Sequence, residues 1–428
     1  MFKTFIQNKL ENYVRAYFEK HPEVKLVAVA GSVGKTSTKT AIATVLSKKF
    51  RVRMQDGNYN THMSAPLGIL GIDYPDNVHS VGQWLTVFRA AKKRISEPAD
   101  VEVIVQELGS DRVGEMAHFG TYLRPAIGVV TAITPEHMEF FETIETVAQE
   151  EIALANFSEL AVINRDDIDG RFADLLTNQN VDTYGSTAAA EYRIEIKDFD
   201  IRHGYNAALV APEFEADSEV PANIRVLGEH SLRPVCAAMT VAVKLGMSPK
   251  EISEAVEDIT PVHGRMNVLR GVKHSILIDD TYNSSPASAG AALQTLYSLQ
   301  APQRIAILGS MNELGATSQT EHEALGNLCD PNLLAWVVTV GDEAEKHLAP
   351  AAKARGCQVK SFKSAIDAGG FVNGVLEEKA VVLAKGSQGN IYTEEALKVL
   401  LHKTSDDQLL VRQSPQWQEI KQEFFSNL

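Results

Sequence analysis

The feature that most constrains this chain is the stretch from Leu26 to Leu46, where an apolar run, a glycine-rich turn and a helical pattern follow one another without a gap. Leu26 to Ala30 is continuously apolar, which predicts a strand buried on both faces. Gly31-Ser32-Val33-Gly34-Lys35-Thr36 then turns the chain, and Thr36 to Lys48 carries helical periodicity. Glycines let a backbone curl so that several N–H groups converge, and the helix that follows adds the positive end of its dipole. Lys35 stands where it would meet the terminal phosphates of a nucleotide, and the Thr36 hydroxyl where it would meet Mg²⁺. On this reading Gly31, Ser32, Val33, Gly34, Lys35, Thr36 and Ser37 bind phosphates. The match to G-x-x-x-x-G-K-[ST] is incomplete, because Val29 occupies the first glycine position. The motif speaks for ATP or GTP and says nothing of an acceptor. An ordinary strand–turn–helix with a surface lysine is the competing reading.

Further Val/Ile-rich runs at 101–106, 127–131, 161–164, 276–279, 304–308, 335–340 and 380–384 alternate with helical stretches. Such alternation predicts α/β layers with mostly parallel sheets. A chain of 428 residues allows two or three domains. Pro261 and Gly264, in ITPVHGRM, punctuate a linker, so the expected domains are 1–262, including an N-terminal helix, and 263–428. The stretch 184–225 is more polar, with period-2 pieces such as YRIEIKDFD, and reads as a β subregion of the first domain.

Phe2, Phe5, Ile6, Leu10, Tyr13, Val14, Tyr17 and Phe18 recur at helical spacing, which marks an amphipathic helix rather than a signal peptide. No run reaches the roughly 18 apolar residues of a membrane span, so no membrane insertion is expected. Forty-one Lys+Arg against 55 Asp+Glu give a net charge of −14, which argues against a nucleic-acid partner. Cys236, Cys329 and Cys357 lie far apart without C-x-x-C spacing, so neither a disulfide framework nor a zinc site is expected, and the compartment is cytoplasmic.

Two further positions bear on a cation. Glu107 ends an apolar strand in VIVQELGSDRVGE, which would bring its carboxylate to the strand's C-terminal edge, where α/β ligand crevices lie. His137 follows the next apolar strand, in TAITPEHMEFF. An oxygen ligand and an imidazole near a phosphate loop suit a divalent ion over a triphosphate. A solvated strand-end glutamate and a loop histidine are the plain alternatives.

With these residues in order, the chain resembles the Mur ligase family. The similarity rests on GSVGKTSTK (31–39), GNYNTHMSAPLGIL (57–70), ELGSDRVGEMA (107–117) and the His137 segment. It continues through LGEHSLRPVCAA (227–238), HGRM (263–266), DDTYNSSPAS (279–288), LGSMNELG (308–315) and AKGSQG (384–389). Within the family it is most similar to the branch that adds D-alanyl-D-alanine to a UDP-muramoyl tripeptide. The resemblance implies a P-loop central ATP-binding domain followed by a Rossmann-like α/β C-terminal domain. It implies ATP and Mg²⁺, small-molecule or peptide substrates, and a monomer. ATP would convert a substrate carboxylate to an acyl phosphate, which an amine then attacks to form an amide. Lys35, His137 and Arg265 would be catalytic. Thr36 and Glu107 would serve a first Mg²⁺ and His137 a second. Arg265 and Asp280 would reach the nucleotide from the C-terminal domain, and domain closure would assemble the site. Asn58, Asn60, Tyr282, Asn283 and Lys385 are the candidate substrate contacts, with turn formation an equal explanation of the two asparagines at 58 and 60.

The chain also departs from the family pattern. Only about 20 residues precede the phosphate-loop strand, so the domain that grips a UDP-sugar in this branch is expected to be missing. Where most of these ligases carry a carbamylated lysine, fourteen residues after the histidine, this chain has Glu151. A glutamate offers two anionic oxygens in its place, the alternative being a solvated helix residue. The family's G-x-H-N-x-x-N reads Gly228-Glu-His230-Ser-Leu-Arg-Pro234, without either asparagine. A Mur-like ligase acting on a poly-amino acid or a cofactor carboxylate, a P-loop phosphotransferase and a non-catalytic scaffold are the readings to be set against the first.

Overall fold

The protein was analysed as a computed structural model, which describes residues 2–214 and 220–428. The chain forms two compact units. The first runs up to Thr134 and includes Phe140–Arg225 and Leu232–Thr260; the second comprises Pro135–Glu139, Val226–Ser231 and Pro261–Leu428. The main division thus lies at Thr260/Pro261, while two short segments within the span of the first domain cluster with the second unit.

The strands of the first unit are β1 (Lys25–Ala30), β2 (Val52–Arg53), β3 (Val103–Glu107), β4 (Ile127–Val130), β5 (Leu160–Asn164), β6 (Val181–Gly185), β7 (Tyr192–Asp200), β8 (Gly204–Val210) and β9 (Val220–Ile224). They form one sheet in the order β2-β3-β1-β4-β5-β6-β7-β8-β9. Pairing is parallel from β2 to β7 and antiparallel from β7 to β9. The polar stretch with period-2 spacing therefore continues the main sheet instead of forming a separate layer. Residues 215–219 of that stretch lie outside the described residues.

The helices are α1 (Phe2–Lys20), α2 (Lys35–Leu46), α3 (Ala65–Leu70), α4 (Val81–Ser96), α5 (Glu115–Phe119), the one-turn α6 (Met138–Phe141), α7 (Ile144–Phe157), α8 (Leu232–Lys244) and α9 (Pro249–Val256). Val14 and Tyr17 of α1 join Leu26, Ala28 and Ala30 of β1 in one core with Ile104, Phe119 and Leu154. On α2, Ala41, Ile42, Val45 and Leu46 are buried, and the helix packs against α8. β1 is enclosed on both faces, which is why its sequence is apolar without alternation. Polar caps set helix starts: Ser248 and Glu251 form a reciprocal capping box ahead of Pro249.

The second unit carries β10 (Asn267–Arg270), β11 (Ile276–Asp280), β12 (Arg304–Gly309), β13 (Trp336–Val340), β14 (Val359–Phe362) and β15 (Val381–Lys385) in the order β10-β11-β15-β12-β13-β14. Only β10, at one edge, is antiparallel to its neighbour. The helices are α10 (Pro286–Ser298), α11 (Ser318–Asn327), α12 (Ala349–Ala354), α13 (Ala365–Val375), α14 (Glu394–Leu400) and α15 (Pro415–Ser426). The result is the doubly layered α/β arrangement that alternating runs imply. Among the described residues no helix is long and apolar enough to cross a membrane. The three cysteines are buried thiols. Trp84 is buried, while Trp417 is exposed on α15.

Candidate active site

The loop between β1 and α2 takes a path only glycine permits. Gly31 has φ 131° and Gly34 φ 86°, both in the left-handed region. A Cβ on Gly31 would lie 2.2 Å from Thr131 Oγ1 and 2.8 Å from the Ala132 nitrogen. The neighbouring strand end holds the loop in place: Ser32 N–H donates to the Ala132 carbonyl at 2.9 Å and Thr131 Oγ1 to the Val33 carbonyl at 2.6 Å. Thr134 N–H donates to Ser32 Oγ at 3.1 Å. Lys35 Nζ folds over the loop and donates to the carbonyls of Gly31 and Ser32, the latter at 3.1 Å. The lysine charge therefore already stands above the curled backbone at the head of a three-turn helix, where an anion would be met.

Glu107, the last residue of β3, is 4 % exposed. Parallel pairing sets Glu107 beside Val29 of β1, so its carboxylate emerges next to the loop. Its Oε2 accepts from Thr36 Oγ1 at 3.0 Å and its Oε1 from Asn60 Nδ2 at 3.1 Å. Lys39 Nζ, one helical turn beyond Lys35, lies 3.9 Å from Oε2 and donates to the carbonyls of Gln55 and Gly57. Motif reading did not single out Lys39, although its i+4 relation to Lys35 was visible. The neighbouring Gln106 and the backbone of Gly109 bind the Tyr59 and Asn60 carbonyls and fix the 57–64 segment against β3. Hence Gly31–Thr36, Asn60 and Glu107 come together. Asn58 lies in the same segment, and its carbonyl accepts from Ser64 Oγ at 3.5 Å. Glu151 is buried on α7 at 5 % exposure, and its neighbour Glu150 is consumed by Ser110 Oγ and the N–H groups of Gly114 and Met116.

His137 belongs to the segment that clusters with the second unit. There its Nδ1 lies 2.9 Å from Glu313 Oε2, and both residues have positive φ. Hydrogen bonding to His137, foremost, holds the Glu313 carboxyl below its ordinary value.

Elsewhere in the second unit the strand ends of β11 and β15 build a polar cluster. Asp280 and Lys385 are register partners, and Lys385 Nζ lies 2.7 Å from Asp280 Oδ2 and donates to the Asn283 carbonyl at 3.0 Å. Lys385 is 3 % exposed, so its ammonium is held inside the cluster. The Arg265 guanidinium stacks 4.3 Å above the Tyr282 ring. The loop bearing Tyr282 is clamped from a distance: Arg412 donates to the Thr281 and Tyr282 carbonyls and forks onto Glu394 at 2.8 and 2.7 Å. Lys421 of α15, itself buried, lies 3.7 Å from Glu394 Oε1, the oxygen that also accepts from Arg412 Nε. His322 is a fully buried structural group, accepting from Met311 N–H at 2.9 Å.

Asp279 precedes this cluster and is wholly buried. Thr281 N–H and Oγ1 and Gly264 N–H all donate to it, yet burial outweighs them and pushes its carboxyl up to about 7. A carboxyl that binds its proton more tightly when folded stabilises the fold fully below its unfolded pKa of about 4. That stability is lost as the pH rises through 7. Unfolding by urea at a series of pH values is therefore expected to show the second unit weakening between about pH 4 and 7. The Asp279→Asn variant is expected to flatten this slope; an identical slope in both proteins refutes the assignment.

Comparison with known proteins follows this division. The Mur ligase middle domain matches residues 29–242, and the Mur ligase, glutamate ligase domain matches residues 264–388. The UDP-N-acetylmuramoyl-tripeptide–D-alanyl-D-alanine ligase of Bacillus subtilis is 24 % identical over 339 residues, covering 78 % of this chain and 66 % of the relative. The chain thus spans slightly less than two thirds of that relative's length. MurF from Acinetobacter baumannii has a similar structure, with a TM-score of 0.75, 22 % identity, and coverage of 92 % of this chain and 80 % of that one. MurF ligase from Thermotoga maritima, solved in complex with ADP, gives a TM-score of 0.72 at 24 % identity, with 92 % and 83 % covered. Two domain matches in the expected order, over a fold shared almost end to end, place this chain in the Mur ligase family.

Proposed function

We propose that the protein is an ATP-dependent carboxylate–amine ligase, working as a cytoplasmic monomer, that joins D-alanyl-D-alanine to a peptidoglycan precursor peptide. One observation carries the chemistry: the phosphate-loop hydroxyl of Thr36 meets the buried carboxylate of Glu107 at 3.0 Å. A hydroxyl and a carboxylate are hard oxygen donors, the set Mg²⁺ prefers. The substrate pair is taken from the B. subtilis relative, whose name specifies it.

When bound, Mg²⁺ neutralises developing phosphate charge. The chain's own residues do the positioning. Loop amides and the α2 dipole cradle the phosphates, and Lys35 exchanges its loop carbonyls for phosphate oxygens. The γ-phosphoryl group passes to the substrate carboxylate as its bond to ADP breaks. The amine then forms the C–N bond, phosphate leaves, and the nitrogen loses a proton. Asn60 and Lys39 hold the Glu107 carboxylate in one orientation throughout. His137 is assigned to a second Mg²⁺, Arg265 and Asp280 to the nucleotide, and Asn58, Tyr282, Asn283 and Lys385 to substrate.

Glu151 is assigned the role of a permanent carboxylate where relatives use a carbamate, a reading supported by its burial. The Glu151→Gln variant is expected to need about tenfold more Mg²⁺ for half-maximal activity. An unchanged Mg²⁺ requirement refutes this role. The function itself is tested by incubating the protein with ATP, Mg²⁺, UDP-muramoyl peptides and D-alanyl-D-alanine and following ADP and phosphate. Release that requires both carboxylate and amine is the expected result. Phosphate retained on a stable product would make the protein a phosphotransferase, and silence across the panel would remove the murein substrate.

A further inference from the structure

A second cluster of ligating side chains lies in the first unit, made of residues with no part in the nucleotide site. α1 carries Gln7 and Glu11 one helical turn apart, α5 carries His118, and the segment ahead of α3 carries His62. Glu11, His62 and His118 each offer a ligand atom, all within 4.8 Å of one another. Glu11 is 4 % exposed. Its Oε1 lies 2.8 Å from His118 Nε2 and accepts from Gln7 Nε2 at 2.9 Å, while Gln7 Nε2 sits 3.4 Å from the same His118 nitrogen.

His118 Nε2 and Gln7 Nε2 can both donate to Glu11 Oε1, and the two nitrogens then face each other as donors at 3.4 Å. His62 Nδ1 is buried and finds no hydrogen-bond partner among the described residues. Its ring packs on Phe119, with 4.2 Å between centroids, and edge-on to His118 at 4.7 Å. A cation at the centre would draw on the lone pairs of His62 and His118 together with the Glu11 carboxylate, whose ligand atoms already lie within 4.8 Å of one another. It would take one carboxylate oxygen, two neutral imidazole nitrogens and the oxygen of Gln7, whose amide ends exchange by a simple flip. The His118 side chain is 40 % exposed and leaves a route from solvent.

We propose that Glu11, His62 and His118, with Gln7 as fourth donor, bind a divalent transition-metal ion of the zinc class. Two imidazoles with a carboxylate suit Zn²⁺ or Co²⁺, whereas Mg²⁺ and Ca²⁺ prefer all-oxygen sets. The ion would staple α1 and α5 to the 57–64 segment, which carries Asn60 and through it Glu107. The site stands whether or not the ligase reading is correct.

The test uses untagged full-length protein, stripped with chelator and titrated with Co²⁺ and then Zn²⁺, beside His62→Ala, His118→Ala and Gln7→Ala. One Co²⁺ per chain is expected, with visible absorption bands of four-coordinate geometry, loss of those bands on adding Zn²⁺, and a higher Tm with metal than without. Removing either histidine is expected to weaken binding at least tenfold, about the least that losing even an outer partner produces. An excess of Mg²⁺ is expected to leave the bands intact. Displacement by Mg²⁺ would move the cobalt to the phosphate loop and overturn the proposal. So would equal Co²⁺ affinity in the wild type and the folded His118→Ala protein, whose substitution lies at the exposed edge of the cluster.

Discussion

Lys35→Ala is expected to lower ATP turnover by about three orders of magnitude while the protein stays folded. The ammonium is the one strong positive charge that the loop itself holds over its curled backbone, where it donates to the Gly31 and Ser32 carbonyls. Charge in phosphoryl transfer spreads over the transferring oxygens, and a preorganised cation aimed at them is worth about 10²–10³ in rate, sometimes more. Those carbonyl contacts belong to a loop already fixed by Thr131 and Ala132, so losing them costs little stability. Steady-state phosphate release with a thermal melt on the same sample checks both halves. Lys35→Arg is not expected to restore the rate, because a planar fork does not replace a compact charge in a tight loop. A loss smaller than tenfold would remove Lys35 from the chemistry and return it to the surface-lysine reading.

Glu107→Gln has the second largest expected effect, and it differs in kind. The substitution keeps the shape but removes the charge that faces Thr36, Asn60 and Lys39. Activity is expected to fall by about 10²-fold, with a markedly higher Mg²⁺ requirement, since a neutral amide oxygen is a weak ligand for a hard cation. Stability also falls, because Lys39 is buried at 4 % exposure and would lose its carboxylate. Breaking a buried pair costs about 3–5 kcal/mol, here reduced because the Gln55 and Gly57 carbonyls still accept from Lys39. Asn60→Ala separates orientation from charge: it should lower activity by only about tenfold and leave the Mg²⁺ requirement nearly unchanged. Equal Mg²⁺ dependence of Glu107→Gln and wild type would show that the carboxylate is structural alone.

What could be read from the sequence was what is encoded locally. The apolar run of β1, the glycines at 31 and 34 and the periodicity of α2 each follow from adjacent residues, and the structure has all three in place. The strand end at Glu107 was legible for the same reason. Its partners were not, because Asn60 lies 47 residues upstream and reaches it only through the crossover that sets β3 beside β1. The order of the sheet is a tertiary choice that periodicity does not encode. The 184–225 stretch shows the same limit, since alternation identified its strands but not the sheet they extend. The partner that His137 meets within its own unit was illegible too, since Glu313 stands 176 positions later in the chain. The acidity of Asp279 was invisible as well, since it depends on how deeply one strand end is buried.

The Arg412 fork and the buried Lys421 limit how this chain can be cut, tagged or split. The segment after residue 403 is polar enough to look dispensable, yet both cations facing the wholly buried Glu394 come from it. A proteolytic nick or a split-protein junction between 403 and 412 would separate that carboxylate from both countercharges and release the Thr281–Tyr282 turn. Fragments made there would have to reassociate before either could hold its shape. A shortened expression clone ending in that interval would fail in the hands of anyone who chose it from disorder-like composition alone.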